Sequence, residues 1–296
     1  MRVFVTGATG FVGSAVVKDL MQAGHQMLGL ARNDEAVAAL TRAGVEVHRG
    51  GLTDVESLTA AARACDGVIH TAFIHDFSNM ALSAKTDLAA IEAIGAALAG
   101  TGKPFVVTSA IGVLQPGRVG MEDDAATVNS AGAYRVASEQ AALALGARGV
   151  RASVIRLPPS VHGDGDHGFV PALIDIARKH GTSAYIGEGI NRWAAVHRRD
   201  AARLYRLALE GGEAGAAYHA VADEGVATRA IAEVIGLRLG VPVVGLEADR
   251  TAEHFGWMGR FFGTDLPASS ALTRQRLGWR PEHTGLLADI DRDQYF

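Results

Sequence analysis

One cysteine among 296 residues rules out an internal disulfide. Cys65, beside Asp66 and Gly67 and ahead of an apolar run, reads as a plain buried thiol rather than a nucleophile, and a reducing cytoplasm is the expected compartment. No apolar run reaches membrane-spanning length. A first strand starting at Arg2 leaves no room for a charged n-region, apolar h-region and cleavage site, so a soluble, unprocessed protein with no membrane partner is expected. The net charge of −4 is scattered, with neither a basic stripe nor an acidic tail, and a nucleic-acid partner is not expected. Eleven histidines do not make a metal site: none forms an i, i+4 pair with an acid, and His162 and His167 lie in a glycine-rich loop without a nearby Cys. A serine hydrolase lacks its Gly-x-Ser-x-Gly elbow. No internal repeat or low-complexity stretch is present.

What is present is a 48% hydrophobic chain in which strand-like runs at 2–6, 25–30, 45–49, 67–72, 104–108 and 151–157 alternate with Ala-rich helical patterns. That alternation predicts an α/β fold built on a doubly wound parallel sheet with both faces covered. Thr53 or Asp54 is placed to cap a helix over 55–64, and Ser130 precedes a long helix over 132–147. Past Leu157 the turn-rich stretch from Pro158 to Asp166 breaks the rhythm. Further elements are expected at 200–210 (helix), 217–221 (strand), 228–239 (helix) and 241–246 (strand). We therefore divide the chain into a Rossmann-type dinucleotide-binding domain, 1–160, and a smaller C-terminal substrate-binding region, 161–296, with 191–220 packing back onto the first.

The function-bearing motif is the run from Val3 to Gly13, an apolar strand entering glycines at Gly7, Gly10 and Gly13 ahead of a helix predicted over 14–23. Gly7 permits the tight turn, Gly10 lets backbone approach a pyrophosphate, and Gly13 lets helix and strand lie close, so the helix N–H groups face an anion.

This run resembles the opening of the extended and atypical short-chain dehydrogenase/reductases, the group that includes nucleotide-sugar epimerases and dehydratases. Gly50-Gly51-Leu52-Thr53-Asp54 is similar to that family's adenine-side turn, Val106-Val107-Thr108-Ser109 to its hydroxyl strand, and Tyr134 to its helix tyrosine. Arg156 to Gly163, Ala195 to Ala202 and Leu277 to Pro281 resemble landmarks of its second half, so the likeness covers nearly the whole chain. The resemblance implies cofactor contacts from Gly7, Thr9, Gly10, Phe11, Val12, Gly13, Gly51, Leu52, Thr71, Ala72, Phe73, Thr108, Tyr134, Leu157, Pro158 and Ser160. It also implies a homodimer paired through helices over 88–99 and 132–147. Where the family's adenine turn commonly has Asp, this chain has Gly51, so adenine recognition falls to backbone groups and Leu52.

An NAD site usually ends its second strand in Asp or Glu, which accepts from the ribose hydroxyl. Here the strand ends Leu30-Ala31-Arg32-Asn33, and Arg32 offers a permanently charged fork to a 2′-phosphate. NADP(H) is favoured over NAD(H).

The family's catalytic set is a hydroxyl residue after the fifth strand, then Tyr with Lys four residues on. This chain supplies Ser109, with Thr108 as competitor and Ala110 where many relatives have the hydroxyl, together with Tyr134 and, in the lysine's place, Ser138. Ser138 carries no charge, so Tyr134 stays a protonated phenol suited to donating to a C=O or C=N group as hydride arrives. Arg135 is expected to point elsewhere, about 100° round the helix. On the substrate side Phe73 is a plausible wall, and Asn191, Arg192 and Trp193 are candidates to reach the cleft. Phe169, Tyr185, Phe255, Trp257, Phe261 and Phe262 add apolar surface for a small organic molecule. These residues point to an NADPH-dependent reductase. The rivals are a nucleotide-sugar epimerase or dehydratase, which would want several converging cations where only Arg192, Arg198 and Arg199 are obvious, and a non-catalytic NADP-binding regulator.

Overall fold

The structure, a computed structural model, describes residues 1–76 and 79–296. The chain opens with strand β1 (Arg2–Thr6) and turns into helix α1 (Phe11–Gln22). It repeats that alternation through β2 (Gln26–Ala31), α2 (Asp34–Arg42), β3 (Glu46–Arg49), α3 (Val55–Arg63), β4 (Gly67–His70), α4 (Met80–Leu98), β5 (Pro104–Ala110), α5 (Val136–Ala144) and β6 (Arg151–Leu157). The second half adds β7 (Ser160–His162), α6 (Phe169–His180), β8 (Ser183–Ile186), β9 (Arg192–His197), α7 (Arg198–Gly211), β10 (Ala217–His219), β11 (Asp223–Ala227), α8 (Thr228–Leu239) and β12 (Val243–Leu246). Four short helices follow: α9 (Thr251–Phe255), α10 (Met258–Phe262), α11 (Ala271–Leu277) and α12 (Leu286–Ile290).

Seven strands pair in parallel in the order β3-β2-β1-β4-β5-β6-β10. The winding reverses between β1 and β4, the place where such sheets leave a crevice at their carboxyl ends. Alternate residues of β1 serve opposite faces: Val3 and Val5 pack with Val16 and Leu20 of α1, Leu40 of α2 and Leu204 of α7, while Phe4 packs with Leu58 of α3 and Ile91 of α4. Both faces are covered, which is why the strands read as apolar runs rather than as alternation. Asn33, Asp54 and Asn79 cap α2, α3 and α4, each accepting from the N–H three residues on.

The second region is built on a three-stranded sheet, β11-β9-β7, and a two-stranded one, β12-β8, around Trp193, Phe255, Met258 and Phe262. Helix α7 lies on α1, and β10 extends the large sheet. Within 191–220, α7 and β10 pack on the first region while β9 pairs in the second region's sheet. Trp279, fully buried in the cluster that holds α1 and α7, donates its indole N–H to the Asp200 carbonyl at 2.9 Å.

The long helix expected over 132–147 is broken into a 3-10 turn (Ala133–Arg135), α5, and a second 3-10 turn (Leu145–Arg148) ending at Gly149 with φ +70°. Its entry is tight because Gly132 lies against Gly112, where a Cβ would come within 2.8 Å of the carbonyl carbon. Among the described residues no helix is long and apolar enough to cross a membrane.

Candidate active site

The glycine run forms a closed corner at the carboxyl ends of β1 and β4. Gly7 has φ +69°, and a Cβ there would lie 2.7 Å from the Ala72 nitrogen; a Cβ on Gly13 would lie 2.0 Å from the Gly7 oxygen. Only glycine permits that approach of backbone to backbone. Thr71 locks the corner, its hydroxyl donating to the Thr6 carbonyl at 2.8 Å, while the Ala72 N–H donates to the Thr6 hydroxyl at 3.3 Å. Helix α1 has no side-chain cap and no acid in its first turn, so its leading N–H groups, from Phe11, Val12 and Gly13, remain available to an anion. The Phe11 ring sits between His167, 5.6 Å away, and the Arg198 guanidinium, 4.3 Å away. Thr9 and Gly10 are exposed beside it.

At the far end of this groove Arg32 is exposed just past β2. Arg49 joins it: β3 pairs in register so that Arg49 stands opposite Ala31, where it bonds Asp34 at 2.8 Å. Gly51 has open space above it, and Leu52 packs on the core. A glycine cradle with uncapped amides at one end and the exposed Arg32 at the other fits a dinucleotide.

Around Tyr134 the geometry departs from the sequence expectation. Tyr134 lies in the 3-10 turn before α5, half-buried, with its ring 6.0 Å from Phe73. Arg135 does not point away. It is buried at 8% exposure, stacks its guanidinium 3.8 Å from the centre of the Phe73 ring and donates to the Thr108 carbonyl at 3.1 Å. The tight turn, rather than a regular helix, aims it inward.

Neither hydroxyl of β5 is open to a ligand. Ser109 is buried and donates to Glu139, which corrects the expectation that it polarises the acceptor. Thr108 donates to the His70 carbonyl at 2.8 Å and meets the Tyr205 hydroxyl at 2.7 Å, and burial pushes the Tyr205 phenol upward. Ser138 is buried beside Asp87, and its hydroxyl faces the carboxyl and helps to hold it in the charged form. The other Asp87 oxygen meets His70 Nε2 at 3.1 Å, and His70 Nδ1 meets the Thr6 hydroxyl at 2.8 Å. Burial alone would raise the Asp87 carboxyl, but His70 and the Arg135 charge outweigh it and hold the group below its ordinary value.

The second-half candidates divide. Ser160 is buried at the seam with an unpartnered hydroxyl, next to Leu157 and Pro158 at the end of β6. Asn191 donates to the Phe262 carbonyl at 2.7 Å, Arg192 pairs with Asp265 at 3.0 Å, and Trp193 is wholly buried. These three hold the second region together, which corrects their reading as substrate contacts. Arg198 donates to the Asp164 carbonyl and the Ser14 hydroxyl, both at 2.8 Å. Phe169 packs with Trp257 at 6.0 Å and Phe261 at 5.6 Å, starting two residues past His167.

Sequence reasoning missed a buried network behind the site. Glu139 accepts from Ser109 and Arg156, and Arg156 Nη1 also donates to the Glu122 carbonyl and lies 3.2 Å from His219 Nε2. Burial, then the Arg156 charge, pushes His219 down to about 3. The signal was Arg156 itself, a charge inside an apolar strand, which requires buried partners. Among the described residues no three His, Cys, Asp or Glu side chains gather as a metal set.

Residues 3–222 match the model of the NAD dependent epimerase/dehydratase family. The chain is 49% identical over 297 residues to an uncharacterized protein of Schizosaccharomyces pombe, covering 100% of both. It is 30% identical over 229 residues to the 2-alkyl-3-oxoalkanoate reductase of Stenotrophomonas maltophilia, covering 73% of this chain and 68% of the relative. Among solved structures, dTDP-glucose 4,6-dehydratase from Streptomyces venezuelae with NAD and TYD bound has a TM-score of 0.80 at 21% identity, covering 99% of this chain and 96% of that one, a likeness of fold.

Proposed function

The chain belongs to the NAD dependent epimerase/dehydratase family, and on that premise we propose that it is an NADPH-dependent reductase of a C=O or C=N group, with Tyr134 as proton donor. The observation that carries this reading is the pairing of a half-buried Tyr134 with a neutral, buried Ser138 four residues on. Ser138 offers a hydroxyl where a lysine ammonium would stand, and the Tyr134 phenol is the group placed to donate to a reduced oxygen or nitrogen. When bound, the reduced nicotinamide supplies the hydride. Gly7, Gly10, Gly13 and the first amides of α1 would hold its pyrophosphate, and Arg32 would meet the 2′-phosphate.

A reductase among the relatives supports a carbonyl substrate. A nucleotide-sugar substrate finds less support, because Arg192, one of the three cations it would use, is paired with Asp265 at 3.0 Å. The test is loss of nicotinamide absorbance when purified protein and NADPH meet a panel of ketones, aldehydes, imines and nucleotide sugars. Reduction that is lost in Tyr134→Phe supports the proposal. Epimerisation without net NADPH consumption, or a Tyr134→Phe variant as fast as wild type, overturns it.

A further inference from the structure

We propose that Arg135 is an anion subsite inside the catalytic cleft, and that the reducible substrate carries a carboxylate a few bonds from its carbonyl carbon. This rests on the reductase reading of Tyr134.

A guanidinium has five N–H donors and no acceptor. Among the described residues Arg135 uses them on one neutral partner, the Thr108 carbonyl at 3.1 Å, and on the face of Phe73 at 3.8 Å. No carboxylate lies within ion-pair distance of it. Asp87, the buried acid whose charge it feels, already shares one oxygen with His70 at 3.1 Å. A guanidinium with no carboxylate in direct contact keeps donors for an incoming negative charge.

The unused N–H groups are not sealed in protein. Among the described residues none of them is a fully enclosed polar atom that lacks a partner. They open beside Phe73, the ring that also faces Tyr134 at 6.0 Å. One aromatic ring thus neighbours both the cation and the proton donor, so a carboxylate on the first lies within a small molecule's reach of the second. The hydroxyls that would compete for a ligand oxygen are occupied, Ser109 by Glu139 and Thr108 by Tyr205 and the His70 carbonyl. A planar fork with open donors matches a carboxylate bidentately, which a neutral ketone oxygen cannot do.

The probes are malonate and its uncharged isostere malonamide, titrated calorimetrically into protein saturated with NADP+. Wild type is expected to bind malonate at least about tenfold more tightly than malonamide, the discrimination of one charge-assisted fork. Arg135→Met abolishes the difference, and Arg135→Lys, which keeps the charge without the fork, retains part of it. NADPH titration by fluorescence should be the same in all three, which shows that each is folded. Equal affinity for the two probes, no malonate binding, or malonate binding unchanged in Arg135→Met overturns the subsite, and so does a loss of NADPH affinity confined to the Arg135 variants. Should Arg135→Met fail to fold, Arg135→Lys decides alone: unchanged malonate affinity overturns the proposal. Failure of the reductase reading looks different, since malonate discrimination would persist while no carbonyl compound in the panel consumes NADPH.

Discussion

Arg156 on β6 grips Glu139 on α5 at 2.7 Å, with the two side chains 2% and 1% exposed. The pair fixes α5 against the sheet one turn beyond Tyr134, and it draws the Ser109 hydroxyl away from the cleft.

Breaking that pair from one side leaves a buried charge alone. Arg156→Met is therefore expected to lower stability by about 3–5 kcal/mol, whereas Arg156→Met combined with Glu139→Leu costs clearly less, because no charge is stranded. Urea unfolding midpoints of the two variants check this; equal losses would show that packing, not charge, sets the cost.

Gly13→Ala puts a methyl 2.0 Å from the Gly7 oxygen, a backbone atom that cannot swing aside. The glycine corner must open, and dinucleotide affinity should fall by about tenfold or more. Fluorescence titration with NADPH measures it. Gly211→Ala, at the far end of α7 where a Cβ meets nothing within 4 Å, is the control and should bind as wild type.

Arg32 lies exposed past β2, with no acid ending the strand. Arg32→Ala should weaken NADPH by about tenfold, one charge-assisted phosphate contact, and leave NADH nearly unchanged. Calorimetry with both coenzymes decides; an unaltered preference would move the 2′-phosphate elsewhere.

His197 stacks on His283 with ring centres 4.6 Å apart and meets His162 edge-on at 5.5 Å. Burial, then the charges of His283 and His162, pushes His197 from 6.5 down to about 4, against the pull of Asp289 and Asp200. Between those two values the unfolded chain binds a proton that the folded one refuses, so stability falls as pH drops from about 6.5 to about 4 and levels off below. After allowance for solvent screening the loss is about 1–2 kcal/mol. Urea midpoints across that range should flatten in His197→Gln.

The glycine corner was legible because a tight turn and a close helix approach are local demands that only glycine meets, and they appear as spacing. The parallel sheet was legible for the same kind of reason, since strands covered on both faces read as continuous apolar runs. Arg135 was misread because a regular helix period was extended through a 3-10 turn, whose tightness comes from Gly132 pressing on Gly112, twenty residues earlier in the chain. Ser109 was misread because its partner, Glu139, is set by how α5 registers against β5 and β6, and Asn191 to Trp193 because their partners lie between 228 and 265.

The sequence by itself determined the alternation of the first six strands with helices, the dinucleotide corner and the absence of a lysine after Tyr134, since each is written in near neighbours along the chain. Only the tertiary structure decided which polar groups are occupied and which are open. Burial makes every charge seek a partner, and the partner it finds depends on what the fold brings within hydrogen-bond reach rather than on distance along the chain.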